Sequence, residues 1–127
     1  GLIDIQDART APVAQDLAIL LRDIRRAETP TLEQPTLTYA AQRFGVDETH
    51  LRAWVDITNL HHGCRITGGL ARAVLRDGKM GGAQQFMART WQTARQSYGC
   101  AELADVQAFV APLEAPGLAA LEKKTAA

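Results

Sequence analysis

Beginning at Val13, the apolar residues Val13, Leu17, Leu20, Leu21 and Ile24 recur at spacings of four, three, one and three. That is the single stripe of an amphipathic helix. Pro12 sits at its first turn, where a missing N–H costs nothing. Arg22, Arg25 and Arg26 occupy its outer side and last turn, where cations suit the helix dipole. The stretch TPTLEQP, with Pro30 and Pro35, predicts a stop and a connector over 28–36. A short helix over 37–44 follows, with Gly45 as its left-handed cap. Asp47 reads as the next N-cap, and Val46 and Leu51 flank it as a hydrophobic staple. Leu51, Trp54, Val55 and Thr58 carry that stripe toward His61, His62 and Gly63. A separate helix is expected over 65–77, stopping at Gly78. After Gly81 and Gly82, another places Phe86, Met87, Thr90, Trp91, Ala94 and Tyr98 on one broad face. A short helix over 102–110, a last turn over 117–121 and a frayed tail over 122–127 complete the chain.

Only the start breaks this helical pattern. Gly1 to Ile5 reads GLIDI, a β-branched segment with the look of a short strand. An isolated strand leaves its backbone unpaired, so its partner must come from elsewhere. The expected fold is therefore mainly α, a single helical domain over 1–127 with one short N-terminal strand and a polar loop over 1–11.

Composition narrows the function classes. Lys plus Arg and Asp plus Glu are both 14, giving a net charge of zero. This argues against nucleic-acid binding by bulk charge and against a polybasic membrane anchor. Apolar residues make up 46% and charged residues 22%, as in ordinary globular chains and unlike disordered ones. No apolar run approaches the ~18 residues of a membrane span. Cys64 and Cys100 have no partner spacing for a disulfide scaffold or a zinc knuckle, so both are expected as buried thiols in a reducing compartment. The first residues do not read as a signal peptide, and a cytoplasmic location is expected.

The residues with the most chemical interest open the chain, GLIDIQDARTAPVAQDLA. A strand that delivers Asp4 into a polar loop, with Asp7 three residues on, suits a divalent cation bridging phosphates. Asp16 lies at the edge of the apolar stripe. It serves either the helix dipole or a neighbouring loop as a structural acceptor. His61 and His62 are adjacent and so point to different helix faces, where spacing by four would chelate better. Surface and packing roles are expected for them. Arg65, Arg72, Arg76 and Lys79 fall near one helical line, either a solvated outer face or an attractor for anions. Trp54, Phe86, Trp91 and Tyr98 are expected in the core.

The string Ile3, Asp4, Asp7, Ala8, then Pro12, Asp16, Leu17 and Ala18 resembles the segment after the catalytic loop in the aminoglycoside phosphotransferase and choline kinase-like family. The version with Gln6, the GGLARAVLRDGK stretch and the Trp91 helix are most similar to its bacterial amino-sugar kinases, which act on N-acetylmuramate and N-acetylglucosamine. The resemblance implies the helical C-terminal lobe of a protein-kinase-like fold. It implies ATP and Mg2+ as cofactors, with a sugar, amino-sugar or aminoglycoside hydroxyl as acceptor. Asp4 would be the magnesium ligand and Asp7 a second metal or loop-ordering group. Asp16 would match the buried helix aspartate that hydrogen-bonds the catalytic loop and holds it in place, and His61 or His62 would flank the acceptor pocket. Ala11 stands where the family often has Gly.

The H-x-D-x-x-x-x-N loop with the general base, and the nucleotide lobe, lie outside these 127 residues and are expected upstream of Gly1. They would act as a partner in cis or in trans. Phosphoryl transfer needs several groups in concert, so the 127 residues alone are expected to be inactive. Exposed apolar surface, and hence self-association, is also expected. The alternative reading is a free-standing helical interaction module without catalysis, its apolar N-terminal strand pairing with another protein's sheet edge.

Overall fold

The longest element is the axis on which the others pack. In a computed structural model of the protein, residues 11–23, 29–78 and 83–125 are described. They form α1 (Val13–Leu21), α2 (Thr29–Phe44), α3 (Glu48–Leu75), α4 (Ala83–Arg95), two short 3-10 turns over 96–103 and α5 (Ala104–Thr125). The fold is mainly α, and no strand occurs among the described residues. The expected strand, with Asp4 and Asp7, lies outside the described residues. Among the described residues, no helix is long and apolar enough to cross a membrane.

The α2–α3 junction follows its local signals. Gly45 adopts φ 66°, which L side chains rarely tolerate. This lets the Val46 N–H reach back to the Ala41 carbonyl at 3.1 Å and close α2. Asp47 then accepts from the His50 N–H at 3.0 Å and opens α3. Leu51 is fully buried and Val46 packs against the same cluster, so the staple forms.

The connector expected over 28–36 is instead helix from residue 29 onward. α2 begins at Thr29 and runs through Pro30 and Pro35. Pro30 falls in the first turn, where it is tolerated. Pro35 is exposed, and the turns around it are held by Leu37, Ala40 and Ala41 in the core. That burial offsets the lost backbone bond.

A second correction concerns Gly63. Instead of two helices, α3 is one helix of 28 residues, about 42 Å long, running through Gly63, Gly68 and Gly69. Among the described elements, α3 and α4 share the most extensive interface. Gly63 is buried there, and a Cβ at this position would overlap the Ala94 methyl. Close approach of the two helices outweighs the propensity cost of the glycine. Likewise, the frayed tail expected over 122–127 is helical to Thr125, as the last part of α5. Gly78 does end the α3 region with φ 66°.

The core has two parts. Ala14, Ala18 and Leu21 of α1, Leu37, Ala40 and Ala41 of α2, and Leu51 and Val55 of α3 form one cluster. Leu60, Ala94 and Leu103 form the other, with Trp91, Tyr98 and Cys100 packed against it. The buried face of α1 is thus rotated from the expected stripe: Val13 and Leu17 are half-buried, and Leu20 is exposed. Small alanines let α1 lie close on α3, so Ala14 and Ala18 take the contact together with Leu21.

Two of the four aromatics expected in the core are outside it, Trp54 at 47% and Phe86 at 44% exposure. The inward line of α3 is Leu51, Val55 and Asn59, and Trp54 stands one position off it. The cysteines are also corrected, Cys64 being exposed and Cys100 only partly covered. Cys64 follows Gly63, and a one-residue step along a helix turns the side chain away from the α4 contact.

Candidate functional site

Arg22 organises the polar centre of the molecule. It follows Ala14 and Ala18 at spacings of four, so the close-packed face of α1 carries it inward and not to the outer side expected for it. Its side chain is only 7% exposed. Its Nη2 donates to Glu33 on α2 at 2.7 Å and to Asp56 on α3 at 3.0 Å. Arg52 adds a second cation 3.5 Å from the same Glu33 oxygen. Burial pushes the Asp56 carboxyl above its usual range, while the neighbouring Arg22 guanidinium and Ser97 hydroxyl pull it back.

One turn along α3, Asn59 continues the network. Its Nδ2 donates to the Thr93 carbonyl at 3.0 Å and to the Ser97 hydroxyl at 2.8 Å. The polar chain therefore ties α1, α2 and α3 to the end of α4. Two of Arg22's nitrogens, Nε and Nη1, are buried without a hydrogen-bond partner.

Beside this network, between α1, α3 and α4, lies a pocket of about 140 Å³. Arg22, Asp23, Asn59 and His62 contribute to its wall, together with the apolar side chains of Ile66 and Phe86. Burial, with smaller contributions from Arg65 and His61, holds the His62 imidazole below its ordinary pKa. It is therefore neutral near pH 7, with one nitrogen to donate and one to accept. The pocket thus combines donors, acceptors and apolar wall, as small-molecule sites do.

The residues singled out by sequence are dispersed. Asp16, expected at the place of a buried aspartate, is instead exposed in the first turn of α1, where it faces away from the Ala14–Ala18 contact. His62 reaches the pocket, whereas its neighbour His61 is exposed, as adjacent helical positions require. Arg65, Arg72 and Arg76 are exposed on the solvated side of α3. Among the described residues, no group of three His, Cys, Asp or Glu side chains could hold a metal ion. Asp4 and Asp7, the expected magnesium ligands, lie outside the described residues.

Arg22, Glu33, Asp56 and Asn59 were missed by the sequence reading. A signal did exist. Arg22 continues the spacing of Ala14 and Ala18, and Asn59 continues that of Leu51 and Val55. A polar residue in the register of a buried face needs a partner, and finding two such residues hints that a network joins them.

Comparison with known proteins adds one relationship. No protein-family model matches the chain, and no solved structure does. The chain is similar to the N-acetylmuramate/N-acetylglucosamine kinase of Caulobacter vibrioides, with 36% identity over 110 residues. The match covers 86% of this chain but 30% of that protein, so the chain spans about a third of the relative's length. The likeness supports a kinase-like relationship for a mainly helical chain.

Proposed function

We propose that this chain is the C-terminal helical part of an ATP- and magnesium-dependent phosphotransferase of the aminoglycoside phosphotransferase and choline kinase-like family. Its acceptor would be a sugar, amino-sugar or aminoglycoside hydroxyl. The observation that carries this reading is the similarity to an amino-sugar kinase over most of the chain, joined to the Asp4, Asp7 and Asp16 pattern at its start. Asp4 holds magnesium and Asp7 assists it or orders the loop. Asp16, exposed on α1, has a free side toward which a catalytic loop can dock. The general base and the nucleotide lobe come from outside these residues. ATP and magnesium supply the phosphoryl group and the charge neutralisation, and the helices hold the acceptor.

The test is Asp4→Asn in the polypeptide that carries the catalytic loop, assayed for ATP consumption with N-acetylmuramate and N-acetylglucosamine. Turnover is expected to fall by about a hundredfold or more, because charge stabilisation by a metal is worth several kcal/mol. Unchanged turnover in a folded variant overturns the metal role. If the native polypeptide proves to be no larger than 13.8 kDa and consumes no ATP, the reading as a helical interaction module replaces this one.

A further inference from the structure

We infer that two copies of this chain associate, with α5 of one copy lying antiparallel along the outer face of α3 of the other. On α3, Trp54, Ile57, His61, Arg65 and Arg72 recur at spacings of three, four, four and seven, which places them on one line of the helix. All five are exposed. The second face lies at the start of α5. Glu102, in the turn that leads into the helix, and Asp105 are exposed. Val106, Phe109 and Leu113 follow at spacings of three and four, a single apolar stripe that is also exposed, Phe109 to 72%.

The two faces match in order and in charge. Along α3 the apolar pair Trp54 and Ile57 precedes the cations Arg65 and Arg72, whereas along α5 the acids precede the apolar stripe. Laid antiparallel, Leu113 and Phe109 come opposite Trp54 and Ile57, and Glu102 comes opposite Arg65. The lengths agree, since Trp54 to Arg65 and Glu102 to Leu113 each span eleven residues, about 16–18 Å of helix. Among the described residues, the ion pairs engage none of Arg65, Arg72, Glu102 and Asp105. This separation of charge extends beyond the two faces. Residues 57–101 carry six Lys or Arg and a single acid, Asp77, while residues 102–122 carry four acids and no Lys or Arg. The whole chain is neutral, so two copies do not repel each other at long range. An anionic lipid surface would satisfy Arg65 and Arg72 but leave the acidic and apolar face of α5 uncovered. A second copy covers both, and burying the apolar stripe against Trp54 and Ile57 supplies the driving force.

This inference is independent of phosphoryl transfer, because association is read as mass, without nucleotide or acceptor. The experiment is sedimentation equilibrium of the native polypeptide from about 1 μM to about 0.5 mM. A dimer is expected, with a Kd on the order of 10 μM, in line with a small contact and few apolar anchors. Raising the salt from about 0.05 M to about 0.5 M should weaken it several-fold, because exposed ion pairs are screened. Phe109→Ser, at an exposed position on which folding does not depend, should raise the Kd by about tenfold or more with helicity kept. Arg65→Glu should also weaken association, and Glu102→Arg added to it should restore it. That rescue separates this contact from any other. A polypeptide that stays monomeric at about 0.5 mM overturns the inference, whether or not phosphatidylserine vesicles bind it. A dimer indifferent to Phe109→Ser, or a loss in Arg65→Glu that Glu102→Arg does not recover, overturns this mode of docking.

Discussion

The two ends of α3 are held by different physics. Around its first half, α1 and α2 pack Ala14, Ala18, Leu37, Leu51 and Val55 into a cluster in which every member is almost fully buried. Toward its C-terminal side the cluster is smaller, Leu60, Ala94 and Leu103, and Val74 and Met87 are buried as well. There hydrogen bonds supplement the packing. Asn59 bonds the end of α4, and Glu114 of α5 accepts from Trp91 and from Tyr98, each at 3.0 Å. Val106, Phe109 and Leu113 of α5 remain exposed. Hydrophobic burial is non-directional and scales with area, whereas hydrogen bonds contribute modestly but fix geometry. The first half should therefore be the more stable.

The largest expected effect comes from breaking the first cluster. Leu51→Ala leaves a cavity at a fully buried site and should cost about 2–5 kcal/mol, read as a lower urea midpoint. Hydrogen exchange should then rise first in α1 and α2. An equal loss of protection in α5 would show one cooperative unit and erase the contrast.

Asn59→Leu probes the other half and should cost about 1–3 kcal/mol, because the Ser97 hydroxyl and Thr93 carbonyl lose their donor. Exchange should rise in α4 and the turn after it. A cost below about 0.5 kcal/mol would mean that packing alone holds this half.

The smallest expected effect is a pH dependence. Burial, then the hydrogen bond and charge of Glu114, push the Tyr98 phenol up to about 12, from an ordinary 10. The folded state thus holds this proton more tightly than the unfolded chain does. Its contribution is fully present below pH 10 and is lost as pH rises toward about 12. The urea midpoint should decline over that window, and Tyr98→Phe should flatten that part of the decline. An identical profile in the variant would sink the assignment.

Legibility followed the range of the interactions. Gly45, Asp47 and Gly78 mark their boundaries correctly because a left-handed glycine and a capping carboxylate act within a few residues. Pro35 and Gly63 misled for the converse reason. Each carries a local penalty, but Pro35 lies in a helix anchored by Leu37, Ala40 and Ala41, and Gly63 lies where Ala94 needs the space. Among the described residues proposed for the site, His62 alone is found at the pocket wall. Arg22 was assigned to the outer side because charge alone suggests solvent, and its partners Glu33 and Asp56 are 11 and 34 residues away.

By itself, then, the sequence determined a mainly helical class, the joint between α2 and α3, the inward register of Leu51 and Val55, and a resemblance to kinases. These follow from periodicity, from caps and from a local motif. Only the tertiary structure decided that α3 is continuous, that Arg22 is buried between two carboxylates, and that Trp54 and Phe86 face outward. Those outcomes depend on which helix face meets which neighbour. That choice is set by close packing of small residues between distant segments, and spacing within one segment does not specify it.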